Sequence, residues 1–160
     1  MGADYYERAQ ICENGHVQTS SFSSTDGEVA FCPECGARTI TACPHCGRPI
    51  RGHGVYVGVI AVPHYQRPSY CHACGKPYPW TERALSRAEQ IADAAGLSVL
   101  EKNEIVSSLE QIAADSPEAR ASAEKVREAS SQIGGILGKS LVEIAVGIGS
   151  KVVGKVLLGA

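Results

Sequence analysis

Seven cysteines and one histidine carry the chemistry that can be read in this chain of 160 residues. Six of the cysteines fall into three turns of one form: "CPECG" (Cys32, Cys35), "CPHCG" (Cys43, Cys46) and "CHACG" (Cys71, Cys74). A Cys-x-x-Cys-Gly turn lets two thiolates grip one ion, and its glycine lets the backbone turn back beneath the sulfurs. Backbone amides in such a turn can point at the thiolates and ease their charge. The seventh cysteine, Cys12, opens "CENGH". There the turn dipeptide Asn14-Gly15 would bring His16 back beside Cys12. Two tetrahedral sites need eight ligands, and His16 fills the place that seven cysteines leave open. The expected groups are Cys12, His16, Cys32 and Cys35, then Cys43, Cys46, Cys71 and Cys74, holding two structural Zn2+ ions per chain.

The rival ligands fit less well. His45 and His72 lie inside their turns, where the side chain would point away from an ion, and His53 and His64 have no turn of this kind around them. A cross-braced arrangement would pair Cys12 and His16 with Cys43 and Cys46, but the short link "GARTITA" favours two ribbons in series. Four protein ligands leave no position for water or substrate, so the metal is expected to hold structure and not to perform chemistry. No carboxylate pair, nucleophile–base constellation or phosphate loop appears elsewhere, so no enzyme is expected.

The elements that must position these ligands divide by composition. Residues 1–80 hold every cysteine, histidine and aromatic residue, and few large aliphatics. A segment so poor in oily side chains needs a staple. Residues 1–15 carry neither a basic end nor an apolar run, so a reducing, cytoplasmic setting is expected, in which cysteines serve as ligands and not as disulfides. Short β-type runs ("HVQTSSF", "EVAF", "RTIT", "VYVGVIAV") lie between turn clusters and predict small antiparallel hairpins. Residues 81–160 read as helix. Thr81 can cap a first helix with Ala84, Leu85, Ala88, Ile91, Ala92 and Ala95 on one face. Ser98 with Glu101 makes a capping box for a second, and Ser116-Pro117-Glu118 a start for a third. An unbroken third helix over 117–158 would be ~60 Å long, so a bend at Gly134-Gly135 is expected. The fold class is therefore α+β: a double zinc-ribbon domain over 1–80, then a module of about three helices over 81–160.

The stretches "YYERAQICENGHVQTSS", "FCPECGARTITACPHCGRPIRG" and "PSYCHACGKPYPWTERAL" resemble an uncharacterised family of short bacterial and phage proteins, a domain of unknown function. The resemblance covers roughly residues 5–85 and implies zinc binding by the eight residues named above. It implies no activity.

Two further features bear on partners. Residues 36–80 contain no Asp or Glu but hold Arg38, Arg48, Arg51, Arg67 and Lys76, interleaved with Tyr56, Tyr65, Tyr70, Tyr78 and Trp80. Basic groups among aromatics can bind a nucleic-acid strand, though the same rings can simply form the small core around the metal. The tail "IGGILGKSLVEIAVGIGSKVVGKVLLGA" sets Leu141, Ala145, Ile148, Val152 and Val156 on one helical arc, with Gly134, Gly138 and Gly149 among them. Glycine costs ~1 kcal/mol in a helix interior, so these positions imply a packing reason. The arc would serve a core helix, self-association into a homo-oligomer, or a membrane surface. The expected function is a non-catalytic adaptor whose ribbons bind a protein partner and whose helices assemble or dock. The alternatives are a membrane-active effector and a nucleic-acid-binding ribbon.

Overall fold

The computed structural model describes residues 3–23, 27–59 and 64–159. The chain divides into two compact units, Met1–Trp80 and Thr81–Ala160.

The first unit is built on strand β1 (Tyr5–Cys12), which pairs antiparallel with β2 (Val17–Phe22), β3 (Thr39–Ile40) and β4 (Arg51–Val55). One edge of β1 takes β2, with Ile11 opposite Val17. The other edge takes β3 at Ile11 and Cys12, and β4 from Tyr5 to Arg8. With both edges paired, Ala9, Gln10, Ile11 and Cys12 are all buried, so this strand carries no hydrophobic alternation. Gln10 is satisfied there by donating Nε2–H to Val29 O and Thr39 Oγ1, each at 3.0 Å. Strand β4 reads "RGHGV", glycine-rich and turn-like, yet a Cβ on Gly52 would collide with the carbonyl oxygen of Ser20. The glycine admits a close backbone approach that any side chain would block.

The expected strands fare unevenly. "HVQTSSF" and "RTIT" become β2 and β3. "EVAF" contributes only an isolated bridge, Phe31 to Arg38. "VYVGVIAV" is not a strand where it is described: β4 ends at Val55, and Val57-Gly58 form a turn with Gly58 at φ +84°. Residues 60–62 of that run lie outside the described residues.

The second unit is helical: α1 (Pro79–Ala94), α2 (Val99–Ala113), α3 (Ala119–Ile133), α4 (Gly135–Ile148) and α5 (Lys151–Leu158). Five helices stand where about three were expected, because the chain breaks at Gly134-Gly135 and again at Gly149-Ser150. Leu109, Ile112, Ala123, Val126, Leu141 and Ala145 are fully buried at the centre, with Ala88 of α1. The capping box forms as expected: Glu101 N–H donates to Ser98 Oγ, and Ser98 N–H to Glu101 Oε2 at 2.8 Å. Two other start signals differ. Thr81 lies inside the first turn of α1, which begins at Pro79. Ser116 does not cap α3; its hydroxyl is buried without a partner, and its carbonyl accepts from Ala119 N–H instead. The second break also shifts the helical phase. Val152, expected on the apolar arc, is 67% exposed, and Val153 and Leu157 turn inward in its place.

The tail glycines at the closest contacts have a packing reason. A Cβ at Gly149 would sit 2.9 Å from Ile112 Cγ2, and one at Gly138 would collide with the backbone oxygen of Ser130 on α3. Helix propensity alone would favour alanine at Gly138 by ~1 kcal/mol. Overpacking against backbone opposes it, because α3 cannot yield as a flexible side chain would. Gly138→Ala is therefore expected to destabilise the chain by about 1–3 kcal/mol, read from urea unfolding followed by helical circular dichroism.

Candidate metal centres

Three of the four ligand turns share one set of backbone hydrogen bonds. Cys32 N–H donates to Ala37 O and Gly36 N–H to Cys32 O; Cys43 pairs with Arg48 and Gly47 in the same way, and Cys71 with Lys76 and Gly75, all at 2.8–2.9 Å. Gly36, Gly47 and Gly75 sit at φ +70 to +72°, the left-handed conformation that returns the chain beneath the sulfurs. Each turn is closed by one antiparallel bridge: Phe31–Arg38, Ala42–Pro49 and Tyr70–Pro77. In every turn the first cysteine is buried and the second exposed.

The fourth turn is built differently. Cys12 ends β1, Cys12 N–H donates to His16 O at 3.0 Å, and Gly15 N–H donates back to Cys12 O at 2.8 Å. Gly15 has φ +91°, and a Cβ there would lie 2.8 Å from Arg67 Cζ and 3.0 Å from Trp80 Cβ. The "NGH" turn thus needs glycine for its conformation and again for its neighbours. Arg67 holds the turn from outside, donating Nη1–H to Gly15 O at 2.8 Å.

These turns bring the eight side chains into two groups, Cys12 with His16, Cys32 and Cys35, and Cys43 with Cys46, Cys71 and Cys74. Within each group the ligand atoms all lie within 4.8 Å of one another. The grouping is in series and not cross-braced. Cys12 Sγ is 3.8 Å from Cys35 Sγ, and His16 Nδ1 is 3.6 Å from Cys32 Sγ. In the second group Cys43 and Cys74 are 3.8 Å apart, and Cys46 and Cys71 3.7 Å. A disulfide would need about 2.05 Å, and all seven cysteines are free. A tetrahedron with metal–sulfur bonds of about 2.3 Å and metal–nitrogen bonds of about 2.0 Å has edges of about 3.8 and 3.5 Å. The observed separations fit that figure, so the residues present suit a four-coordinate ion at each position. Of the other histidines, His45, His64 and His72 are exposed and none joins either group.

The sequence over residues 5–157 matches the family described as an uncharacterized protein conserved in bacteria, DUF2321. The chain is a DUF2321 protein. The match spans the helices as well as the cysteine turns, well beyond the 5–85 stretch over which the sequence resemblance was drawn. No curated protein and no solved structure matches it.

The charge on this DUF2321 chain's sulfurs is managed by donors that cysteine spacing does not reveal. His16 N–H donates to Cys12 Sγ at 3.2 Å, Gln18 Nε2–H to Cys32 Sγ at 3.3 Å, and Asn14 Nδ2–H to Cys35 Sγ at 3.4 Å. Ala37 N–H, then Asn14, lower the Cys35 pKa. Burial opposes the Cys32 thiolate, yet the Glu34 and Cys35 amides and His16 carry its pKa below the ordinary value. Burial pushes Cys12 up. Gln18 could have been found only by placing it on a strand beside the "CPECG" turn.

In the second group four sulfurs compete for ionisation. Burial opposes the Cys71 thiolate, but amides of Ala73 and Cys74 and the thiols of Cys46 and Cys43 bring its pKa down to about 6. Cys46 receives Arg48 N–H, yet burial and the other three sulfurs push it up to about 12. Protons alone therefore cannot let all four ionise together near neutrality, whereas a dication can. Behind this group Tyr78 is fully buried, stacked on Trp80 with centroids 4.7 Å apart. Trp80 donates Nε1–H to Pro68 O at 2.9 Å. The Tyr78 hydroxyl lies beside Cys71, and burial, then that sulfur, raise its pKa.

Because Gly15 shapes the turn that carries Cys12 and His16, Gly15→Ala is expected to weaken Co2+ binding at the first group by about tenfold or more, and by more than at the second. Competition titrations read by thiolate-to-Co2+ absorption distinguish the two.

Proposed function

We propose that the chain is a non-catalytic zinc-binding adaptor, with two structural Zn2+ ions forming tandem ribbons that recognise a partner and helices that assemble or dock. The observation that carries the reading is the pair of closed four-ligand groups with tetrahedral edges. Thiolate and imidazole donors in this geometry favour Zn2+, and four protein ligands leave no open position for substrate. The first unit also has few other means of support: its buried cluster is Ala9, Ile11, Cys43, Ile50, Cys71, Tyr78 and Trp80, and two of those are ligands.

The membrane-active alternative lacks comparable support. Leu141, Ile144, Ala145 and Ile148 of the tail are buried within their own unit. Among the described residues, no helix is long and apolar enough to cross a membrane.

Elemental analysis of the reduced full chain is expected to give two zinc per chain, and Cys71→Ser about one. Iron in place of zinc, or two zinc retained in Cys71→Ser, would overturn the assignment. The adaptor role expects a stoichiometric partner to co-purify from the native bacterium with the wild-type chain and to be lost with Cys71→Ser; a partner held equally by both would place recognition outside the ribbons.

A further inference from the structure

The strands and turns beside the second ligand group gather exposed positive charge. Arg8 of β1 and Arg51 of β4 stand directly opposite each other in the antiparallel pair. Opposed residues project to the same face, and like charges placed so repel. Arg51 is steadied from the side, its guanidinium lying 4.5 Å from the centre of the Tyr6 ring. Tyr6 remains 48% exposed. Arg48 leaves the "CPHCG" turn three residues before Arg51, and His72 belongs to the facing "CHACG" turn.

No carboxylate answers them. Residues 36–80 contain none. Glu7, between Tyr6 and Arg8, alternates to the other face of β1, and Asp4, just before the strand, accepts from Val57 N–H at 2.7 Å. The ion pairs Lys102–Asp93, Arg120–Glu124 and Lys125–Glu104 lie in the helical unit, and none involves Arg8, Arg48 or Arg51. Two exposed arginines at a half-exposed aromatic ring, with a third on the adjoining turn, make a surface complementary to a chain of phosphates with flat bases between them.

We propose that the face formed by Tyr6, Arg8 and Arg51, with Arg48 on the adjoining turn, binds single-stranded nucleic acid. Arg8 and Arg48 contact phosphates, and a base stacks on the Tyr6–Arg51 pair. This assignment rests on the reading of the ribbons as the recognising part, and it names the chemistry of what the second one recognises. The opposed arginines, unfavourable in the free chain, become favourable once a phosphate lies between them. No base edge is read, so the expected preference among sequences is weak.

The test uses the full chain with its metal content measured in the same sample. Anisotropy of a dye-labelled single strand of about 12 nucleotides should report saturable binding that weakens steeply with salt. Arg48→Ala should weaken it at least about fivefold and flatten the salt slope by about 0.7, the loss of one phosphate contact on a single strand. Tyr6→Ala should weaken it by a similar factor with the slope unchanged. Arg51→Lys, which keeps the charge, should lose affinity through stacking alone. Lys139→Ala, on α4, is the neutral control. Unchanged affinity in Arg48→Ala and Arg51→Lys at full metal content would overturn the proposal. So would binding to phosphatidylserine vesicles without binding to the oligonucleotide. A wild-type chain holding two ions yet failing to bind the strand defeats this proposal alone; a chain holding fewer than two defeats the zinc reading beneath it.

Discussion

Four electron-rich atoms held less than 4 Å from their neighbours repel one another unless something positive lies between them. The first unit is arranged around that constraint twice. Its turns place one cysteine inward and one outward, its amides and its Asn14 and Gln18 side chains aim at sulfur, and its central strand ends on a ligand, Cys12. The two groups do not carry equal charge. With a dication each, three thiolates and an imidazole sum to −1, and four thiolates to −2. The second group is the one flanked by Arg48 and Arg51, while Glu13 and Glu34 neighbour the first in sequence.

The second unit solves the same problem of cohesion by other means. It has no aromatic ring and no cysteine, and it closes on aliphatic side chains from all five helices. Its glycines take the place that metal turns take in the first unit: they let backbones come together where side chains would hold them apart. Gly138 against Ser130 and Gly149 against Ile112 are the two contacts where this is tightest.

Much of this was legible in the sequence, and the failures have physical reasons. The membership of the two ligand groups could be read because thiolate chemistry is tied to turn spacing, and because "NGH" supplies a bend that only glycine tolerates. The helical faces around Leu109, Val126 and Leu141 could be read from period alone. Strand β1 could not, since a strand paired on both edges with four buried residues in a row has no alternation to detect. Strand β4 could not, since Gly52 serves a close approach and so imitates a turn. Val152 was misplaced because a break at Gly149-Ser150 restarts the helical phase, and periodicity assumes none. The donors to sulfur escaped for a further reason: Gln18 is close to Cys32 in space and fourteen residues away along the chain.

The position of β1 in the sheet sets an order on how the chain is made. It is the strand with which β2, β3 and β4 all pair, and it precedes its partner β4 by some forty residues. Cys71 and Cys74 come later still. During synthesis β1 can pair at once with β2, but its other edge and the second ligand group stay incomplete until β4 and the Cys71–Cys74 turn have followed. The helices that follow can begin to close on near neighbours as they appear. Synthesis thus leaves the cysteine-rich part, its ligand atoms open, incomplete for longer than helices that close on near neighbours.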